Sequence, residues 1–320
     1  MIHFIRLIRP ANLLIIAATM YGTAWYFDSL LISAGVYPVI GGFPFFILVL
    51  STVLIAAAGN IINDYFDVKA DRINRPKRLI ITKSIKRRWA ILSHWIINFI
   101  AFGMAIYLSY IFETFWYLFI HLLSINLLWY YSMHFKRTVV FGNIIIALLT
   151  ALVPLLVGIF YNQHTDWEMI KDVHPFELEE VKNYPLFVTI SLGLFAFLLN
   201  WAREIIKDIE DIHGDKVLKA KTLPIIYGTK KAKLISLLIL AFPVFLSLFI
   251  VIGRKKEIVV DDLAFIPLLI AAIAYIFSIF FILKSKTAGQ YRRAHITIKI
   301  IMIFGLILPV YWAAKIYFSL

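Results

Sequence analysis

The sequence predicts an all-α integral membrane protein, with nine transmembrane helices in one bundle and a single domain over residues 1–320. Of its residues, 62% are hydrophobic and 16% are charged, and the mean hydropathy is +0.85. Soluble domains are about 45–50% apolar and about 25% charged. The chain also contains a series of apolar runs, each near the roughly 20 residues that an α-helix needs to cross a bilayer. These two observations exclude a soluble domain and a disordered chain.

Nine apolar runs have the length of a membrane span, and charged or polar segments separate them. The first run follows a short segment, residues 2–10, that alternates basic and apolar residues and is predicted to lie in the interface. This run carries Asn12 near its start and has no small-residue cleavage site, so we expect a span and not a removed leader. The nine predicted spans are 11–30, 38–62, 89–110, 114–134, 139–161, 185–205, 232–253, 262–283 and 294–319.

The basic residues predict the orientation of the chain. With the N-terminus inside, 25 of the 32 Lys and Arg residues fall in the tail and the inner loops, and six fall on the outer side. The positive-inside rule therefore predicts a protein of the cytoplasmic or inner membrane, with a cytoplasmic N-terminus and an outer C-terminus. The net charge of +13 then reflects topology, and no nucleic-acid partner is expected. Residues 161–184 form a polar, acidic insert in an outer loop.

Two aspartate clusters, at the inner ends of the second and sixth spans, repeat one spacing. In each, three aspartates are separated by three and then four residues, a spacing that places side chains on one helix face. Neighbouring like charges repel, and a divalent cation relieves this repulsion. Mg²⁺ prefers oxygen ligands and often binds through carboxylates together with substrate phosphates. The clusters are Asp64, Asp67 and Asp71 in the first motif, and Asp208, Asp211 and Asp215 in the second motif.

A solvated, charged helix end would explain either cluster alone, but the matched spacing favours a shared site. We therefore predict Asp-rich cytoplasmic loops after helices 2 and 6 that bind two Mg²⁺ ions bridging a diphosphate. Basic residues near the clusters can contact diphosphate oxygens, although cytoplasmic loops are basic in any case. Lys136 and Arg137 stand out because their loop is very short.

The motifs resemble a known family. Asn63-x-x-x-Asp67-x-x-x-Asp71 is similar to the first signature of the UbiA-type intramembrane prenyltransferases, and Asp211-x-x-x-Asp215 is similar to the second. The segments AGNIINDYFDVKADRINRP and REIIKDIEDIHGDKVLKAKTLPIIYG resemble the branch that makes digeranylgeranylglyceryl phosphate, an ether-lipid precursor. The chain departs from the family pattern at residues 77–84, where the family often continues to Pro-Ser-Gly.

This resemblance implies transfer of a polyprenyl group, here geranylgeranyl, from its diphosphate to a lipophilic acceptor, with geranylgeranylglyceryl phosphate as the best match. It implies Asp64 and Asp208 as catalytic residues, and the remaining motif residues as metal ligands. The implied metal ligands are Asn63, Asp67, Asp71, Asp211 and Asp215. The implied substrate-binding residues are Arg9, Asn12, Asn60, Arg72, Tyr131, Ser132, Lys136, Arg137 and Lys221.

Other functions stay open at this point. The acceptor could instead be an aromatic compound, such as 4-hydroxybenzoate or a naphthoate, or haem. A cation-coupled transporter also contains intramembrane acids and internal repeats. Transporter sites lie near the middle of the membrane, whereas these two motifs lie at one face.

Overall fold

The computed structural model describes residues 2–33, 42–74, 76–165, 175–253 and 265–319. Within these ranges the named elements are all helical, and an isolated bridge between Ile81 and Ile85 is the only β contact. The predicted all-α class is therefore confirmed. Short 3₁₀ turns lie at Pro76–Arg78 and Phe135–Arg137. The α-helices are α1 (Ile2–Ile8), α2 (Pro10–Ser33), α3 (Phe43–Asn74), α4 (Arg87–Ile111), α5 (Trp116–Met133), α6 (Phe141–His164), α7 (Pro175–Glu210), α8 (Ile212–Val217), α9 (Leu223–Gly253), α10 (Phe265–Lys284) and α11 (Ala288–Ser319).

Six described helices are long and apolar enough to cross a membrane. They are α2, α3, α4, α6, the part of α7 over Lys182–Glu210, and the part of α11 over Ala288–Phe318. The other three predicted spans fall on α5, α9 and α10, so the total of nine stays a prediction. Large apolar side chains face outward, with Phe99 79% and Tyr110 82% exposed, as suits helices surrounded by lipid. The chain is a membrane-spanning helical bundle.

Helix α3 extends well past the predicted second span and carries the first aspartate motif. It has 32 residues and continues to Asn74, so the Asp-rich segment after the second span is helical and not a loop. The extension keeps one apolar face covered: Val68 packs with Leu7 of α1 and with Ala90 of α4. Because this packing continues past the predicted second span, it stabilises the helix beyond the end of that span.

Helices α6 and α7 pack closely as an antiparallel pair. A Cβ added at Gly158 would lie 1.9 Å from Thr189 Oγ1 and 2.9 Å from the carbonyl oxygen of Pro185. Small residues let helix backbones approach in lipid, where dispersion replaces the hydrophobic effect as the attraction between helices. Near the other end of the same pair, Asn143 of α6 contacts Asp208 of α7 at 2.9 Å. The close packing thus positions part of the second motif.

The predicted outer insert 161–184 is partly helical. Helix α6 continues to His164 and α7 begins at Pro175. The Nδ2 of Asn162 donates to the carbonyl oxygen of Lys182 at 2.8 Å and joins the two helices. Residues 166–174 of this insert lie outside the described residues.

Replacing Gly158 by Ala is expected to destabilise the bundle, because the new methyl group overlaps Thr189 and the Pro185 carbonyl. Overpacking of this kind costs about 1–3 kcal/mol. Gly103→Ala is the matched control, since a Cβ there meets nothing within 4 Å and Ala favours a helix over Gly by about 1 kcal/mol. The apparent Tm in detergent should therefore fall for Gly158→Ala and hold or rise for Gly103→Ala. Equal shifts in both variants would contradict the close α6–α7 packing.

Candidate active site

A break between α1 and α2 brings a basic residue to the first motif. Arg9 lies at the break, immediately before Pro10, with a φ of 56°. A non-glycine residue held in this left-handed region costs about 1–3 kcal/mol, and such strain is concentrated at functional sites. The Arg9 guanidinium forms an ion pair with the Oδ1 of Asp64 on α3. The break therefore places a positive charge against the first aspartate of the motif.

Lys136 provides the second positive charge at the first motif. It lies in the 3₁₀ turn Phe135–Arg137, and its ammonium forms an ion pair with Asp67. The same Nζ donates to Asn63 Oδ1 at 3.2 Å, and Asn63 Nδ2 donates to Asp67 Oδ2 at 2.9 Å. Burial opposes the charge on Lys136, but the carboxylates of Asp67 and Asp71 contribute to a net rise of its pKa above the ordinary value. Lys136 therefore stays protonated beside the motif.

The second motif does not lie on one continuous helix as its spacing predicts. Helix α7 ends at Glu210, Asp211 lies in the turn, and Asp215 belongs to the separate helix α8. Asp208, still on α7, accepts the 2.9 Å hydrogen bond from Asn143. The two motifs thus share a spacing but not a conformation.

Asn74 joins the two motifs at the end of α3. Its Nδ2 donates to the carbonyl oxygen of Asp211 at 3.2 Å, and its Oδ1 accepts from the backbone N–H of Gly214 at 3.0 Å. A Cβ at Gly214 would lie 2.4 Å from Asn74 Nδ2, so the glycine is required for this close contact. Asn74 was not among the predicted site residues, and its only signal in the sequence was an amide at the end of the first motif.

One ammonium group, that of Lys136, interacts electrostatically with carboxylates of both motifs. Burial raises the pKa of Asp215 to about 6; the charge of Lys136 opposes this rise, and the charges of Asp211 and Asp67 add to it. Lys136 therefore lies close enough to interact with carboxylates from both motifs. Among the described residues, no group of three or more His, Asp or Glu side chains is already arranged around a metal position.

A cavity of about 310 Å³ begins beside this charged region, where Arg9 and Asn63 line it, and extends into the bundle. Lys136 and the six motif aspartates are not among its described lining residues. Along α3 it runs from Asn63 to Thr52, which is about 16 Å at a rise of 1.5 Å per residue. Its inner part is mostly aliphatic, and a long apolar chain fits such a lining. The apolar lining includes Ile15, Ile16, Ile55, Ile120, Leu128, Leu149, Leu152, Val153, Leu156, Met302 and Ile303.

Four charged residues that line the cavity were assigned no role from the sequence. Glu204 accepts from Arg203 Nη1 at 2.5 Å and from Lys207 Nζ at 2.9 Å. Lys299 of α11 donates to Asn12 Oδ1 at 2.5 Å. The sequence contained a signal for two of them. The second motif lies 144 residues after the first, and at that separation Glu204 and Lys207 correspond to Asn60 and Asn63.

The structure brings only some of the predicted substrate-binding residues to the cavity. Those that line it are Arg9, Asn12, Asn60 and Tyr131, and the predicted metal ligand Asn63 lines it as well. Asn60 Nδ2 donates to the carbonyl oxygen of Ile8 at 2.9 Å, which holds α1 against α3.

Four of the remaining predicted residues point elsewhere. The hydroxyl of Ser132 donates to Leu128 in its own helix at 2.8 Å. Arg72, Arg137 and Lys221 are exposed, and the backbone N–H of Lys221 donates to the Arg137 carbonyl oxygen at 2.8 Å.

Comparison with known proteins identifies the family. The model of the UbiA prenyltransferase family matches residues 18–303. The chain belongs to the UbiA prenyltransferase family. It is a membrane prenyltransferase.

Individual relatives and solved structures within this family are similar to the chain over most of its length. A digeranylgeranylglyceryl phosphate synthase of Thermococcus kodakarensis is 33% identical over 244 residues, 76% of each chain. One of Methanosphaera stadtmanae is 31% identical over 250 residues, 78% of this chain and 80% of the relative. A solved structure described as digeranylgeranylglyceryl phosphate synthase in membranes superposes with a TM-score of 0.63 at 26% identity, covering 98% of both chains. A UbiA homologue from Archaeoglobus fulgidus shares the fold, with a TM-score of 0.60 at 18% identity and 99% of both chains covered.

Replacing Asn74 by Ala is expected to separate α8 from α3. The variant removes the side-chain acceptor of the buried Gly214 N–H and one of two donors to the Asp211 carbonyl oxygen, which still accepts from the backbone N–H of Asp215. We expect a cost of about 1–3 kcal/mol, mainly from the buried N–H. Hydrogen exchange of the backbone amides of α8 should become faster and prenyl transfer slower. Asn126→Ala is the control, because the Asn126 side chain is exposed and bonds only within its own helix. If α8 exchanges at the wild-type rate in Asn74→Ala, Asn74 does not join the motifs.

Proposed function

We propose that this protein transfers a geranylgeranyl group from its diphosphate to the free glycerol hydroxyl of geranylgeranylglyceryl phosphate. The observation that carries the proposal is that Lys136 pairs with the first aspartate motif and acts electrostatically on Asp215 of the second, beside the polar end of a cavity whose inner part is apolar. Asn63, which bonds to both Lys136 and Asp67, lines that polar end. A prenyl diphosphate has the same division, with an anionic head and an apolar tail. The relatives named as digeranylgeranylglyceryl phosphate synthases support this choice of acceptor.

The motif residues suit Mg²⁺ ions, of which we propose two. Their oxygen donors are the type that this ion prefers, and a single cation, the Lys136 ammonium, already interacts with carboxylates of both motifs. The A. fulgidus UbiA homologue binds Mg²⁺ together with dimethylallyl or geranyl diphosphate. When bound, Mg²⁺ neutralises charge that develops on a departing diphosphate. The proposed ligands are Asn63, Asp67, Asp71, Asp211 and Asp215.

The chain's own residues perform the remaining tasks. Arg9, Lys136 and Lys207 supply positive charge for the diphosphate oxygens. As the C–O bond breaks, the electron pair leaves with the diphosphate, and the ring face of Tyr131 in the cavity lining can stabilise the allylic cation. The acceptor oxygen then bonds to that carbon and releases its proton. Asp64 and Asp208 are the proposed proton acceptors.

Four residues predicted to bind the substrate lie outside the cavity lining. Arg72, Ser132, Arg137 and Lys221 do not line the cavity, so a contact with the diphosphate requires their side chains to turn toward it. We further propose that the end of the bundle with both motifs faces the cytoplasm, because most of the chain's basic residues fall in the segments at that end.

An acceptor panel tests the proposed function directly. Purified protein in detergent receives geranylgeranyl diphosphate, Mg²⁺ and one acceptor at a time: geranylgeranylglyceryl phosphate, 4-hydroxybenzoate, a naphthoate or haem. We expect prenylated product and released diphosphate with the glyceryl phosphate. Turnover with only an aromatic acceptor or haem would reassign the acceptor, and no turnover with any of them would contradict the proposal.

Asp67→Ala and Asp211→Ala should each lower diphosphate release by about 10²–10³-fold, the typical effect of removing one electrostatic contact to a developing charge. Glu113→Ala is the control, since Glu113 is an exposed acid in the segment between α4 and α5. Its rate should remain at the wild-type level. A near-normal rate in either aspartate variant would remove that motif from the reaction.

Removal of divalent cations should abolish turnover, and added Mg²⁺ should restore it. The physical reason is that the carboxylates of the two motifs repel one another and the diphosphate unless a cation lies between them. The measurement is diphosphate release after chelation and dialysis, followed by titration with Mg²⁺ or Ca²⁺. We expect weaker rescue by Ca²⁺, because it prefers longer bonds and more ligands. Full turnover in the chelated protein would exclude the proposed metal role.

A further inference from the structure

We propose that Lys299 and Arg203 form a separate binding site for the phosphate monoester of the acceptor, on the cavity wall away from the diphosphate. The inference rests on the proposed function and assigns the recognition of the acceptor head group to two residues that the motifs do not contain.

Lys299 is a cation within a membrane-spanning helix and has no acidic partner. Its ammonium donates to the neutral Asn12 Oδ1 at 2.5 Å, and among the described residues it forms no ion pair within 4.0 Å. The charges that act on it most are those of Arg203 and Arg9, both positive. A lysine in this position is costly unless a counter-charge offsets it. An anionic ligand in the cavity provides that counter-charge.

Arg203 lines the same cavity and has one buried hydrogen-bond donor, its Nε, without a partner among the described residues. Its Nη1 binds Glu204 at 2.5 Å and Asn200 Oδ1 at 3.2 Å. Its Nε is buried without a hydrogen-bond partner. A buried donor that lacks a partner costs about 1–3 kcal/mol, and an arginine fork is well suited to phosphate oxygens.

The side chains that line the cavity carry a net positive charge, which favours the binding of more than one anion. Its lining contains four basic side chains, Arg9, Arg203, Lys207 and Lys299, but only one carboxylate, Glu204. Glu204 is shared by Arg203 and Lys207, and Arg9 pairs with Asp64.

The two lysines belong to different elements, and of the two only Lys299 is among the residues that line the cavity. Lys136 lies with the aspartate motifs of α3 and α8, whereas Lys299 belongs to α11 and contacts α2. A diphosphate at the motifs and a phosphate monoester at Lys299 therefore use separate groups. An aromatic acceptor with a carboxylate offers one negative charge fewer than a phosphate dianion, so this region favours the phosphorylated lipid.

The experiment compares a phosphorylated and a neutral acceptor. Wild type, Lys299→Met and Arg203→Gln are assayed with geranylgeranylglyceryl phosphate and with the same glyceryl ether lacking its phosphate. For both variants we expect the KM for the phosphorylated acceptor to rise about tenfold, equivalent to about 1.4 kcal/mol. The KM for geranylgeranyl diphosphate should change less than twofold, about 0.4 kcal/mol. The preference for the phosphorylated over the neutral acceptor should fall by the same tenfold factor.

Lys315→Met is the matched control, because Lys315 is an exposed lysine near the other end of α11. Its kinetic constants should equal those of the wild type. Lys299→Arg keeps the charge and should retain most of the preference for phosphate. If Lys299→Met does not fold, Arg203→Gln and Lys299→Arg decide the question by the same selectivity ratio.

Two results would overturn the inference. A rise in the KM for geranylgeranyl diphosphate instead of the acceptor would assign these residues to the diphosphate. An unchanged ratio between phosphorylated and neutral acceptors would show that they do not contact the acceptor phosphate. Neither result affects the proposed function, which fails only if the wild-type protein does not prenylate geranylgeranylglyceryl phosphate.

Discussion

The arrangement of this bundle depends on the need to pair charges at the edge of a membrane. A carboxylate removed from water without a partner is strongly destabilising. Four acids at or beside the cavity therefore meet a donor. Three of these contacts join different elements: α3 to the α1–α2 break, α3 to the loop before α6, and α7 to α6, whereas Glu204 is paired within α7. The pairs are Asp64 with Arg9, Asp67 with Lys136, Asp208 with Asn143, and Glu204 with Arg203 and Lys207.

The two motifs adopt different backbone conformations because the residues that pack against them differ. The first stays helical, since Val68 keeps packing against α1 and α4. In the second, the helix ends before Asp211, and the backbone around Gly214 turns to receive the side chain of Asn74. A strictly symmetric repeat would leave both motifs on parallel helix faces. The break instead places Asp215 in the separate helix α8, where the charge of Lys136 still acts on it.

The same charge pairing divides the cavity. Fixed cations and acids occupy one end, and aliphatic side chains fill the other, so an amphipathic substrate has one favourable orientation. The close contact of α6 and α7 through Gly158 brings their facing residues near enough to line one side. Lys299 differs from the other cations in the lining, because its ammonium donates to the neutral side chain of Asn12.

Composition and apolar length by themselves determined that this is a helical membrane protein, since each span must bury its own backbone in lipid. The motif spacing also determined which aspartates belong together, because it is a local property of the chain. Only the tertiary structure decided that Tyr131 lines the cavity whereas Ser132 turns back to its own helix. It alone placed Asn74, Arg203 and Lys299 at the site. The contacts of Asn74 with Asp211 and of Lys299 with Asn12 join residues more than a hundred positions apart, and no local pattern encodes them.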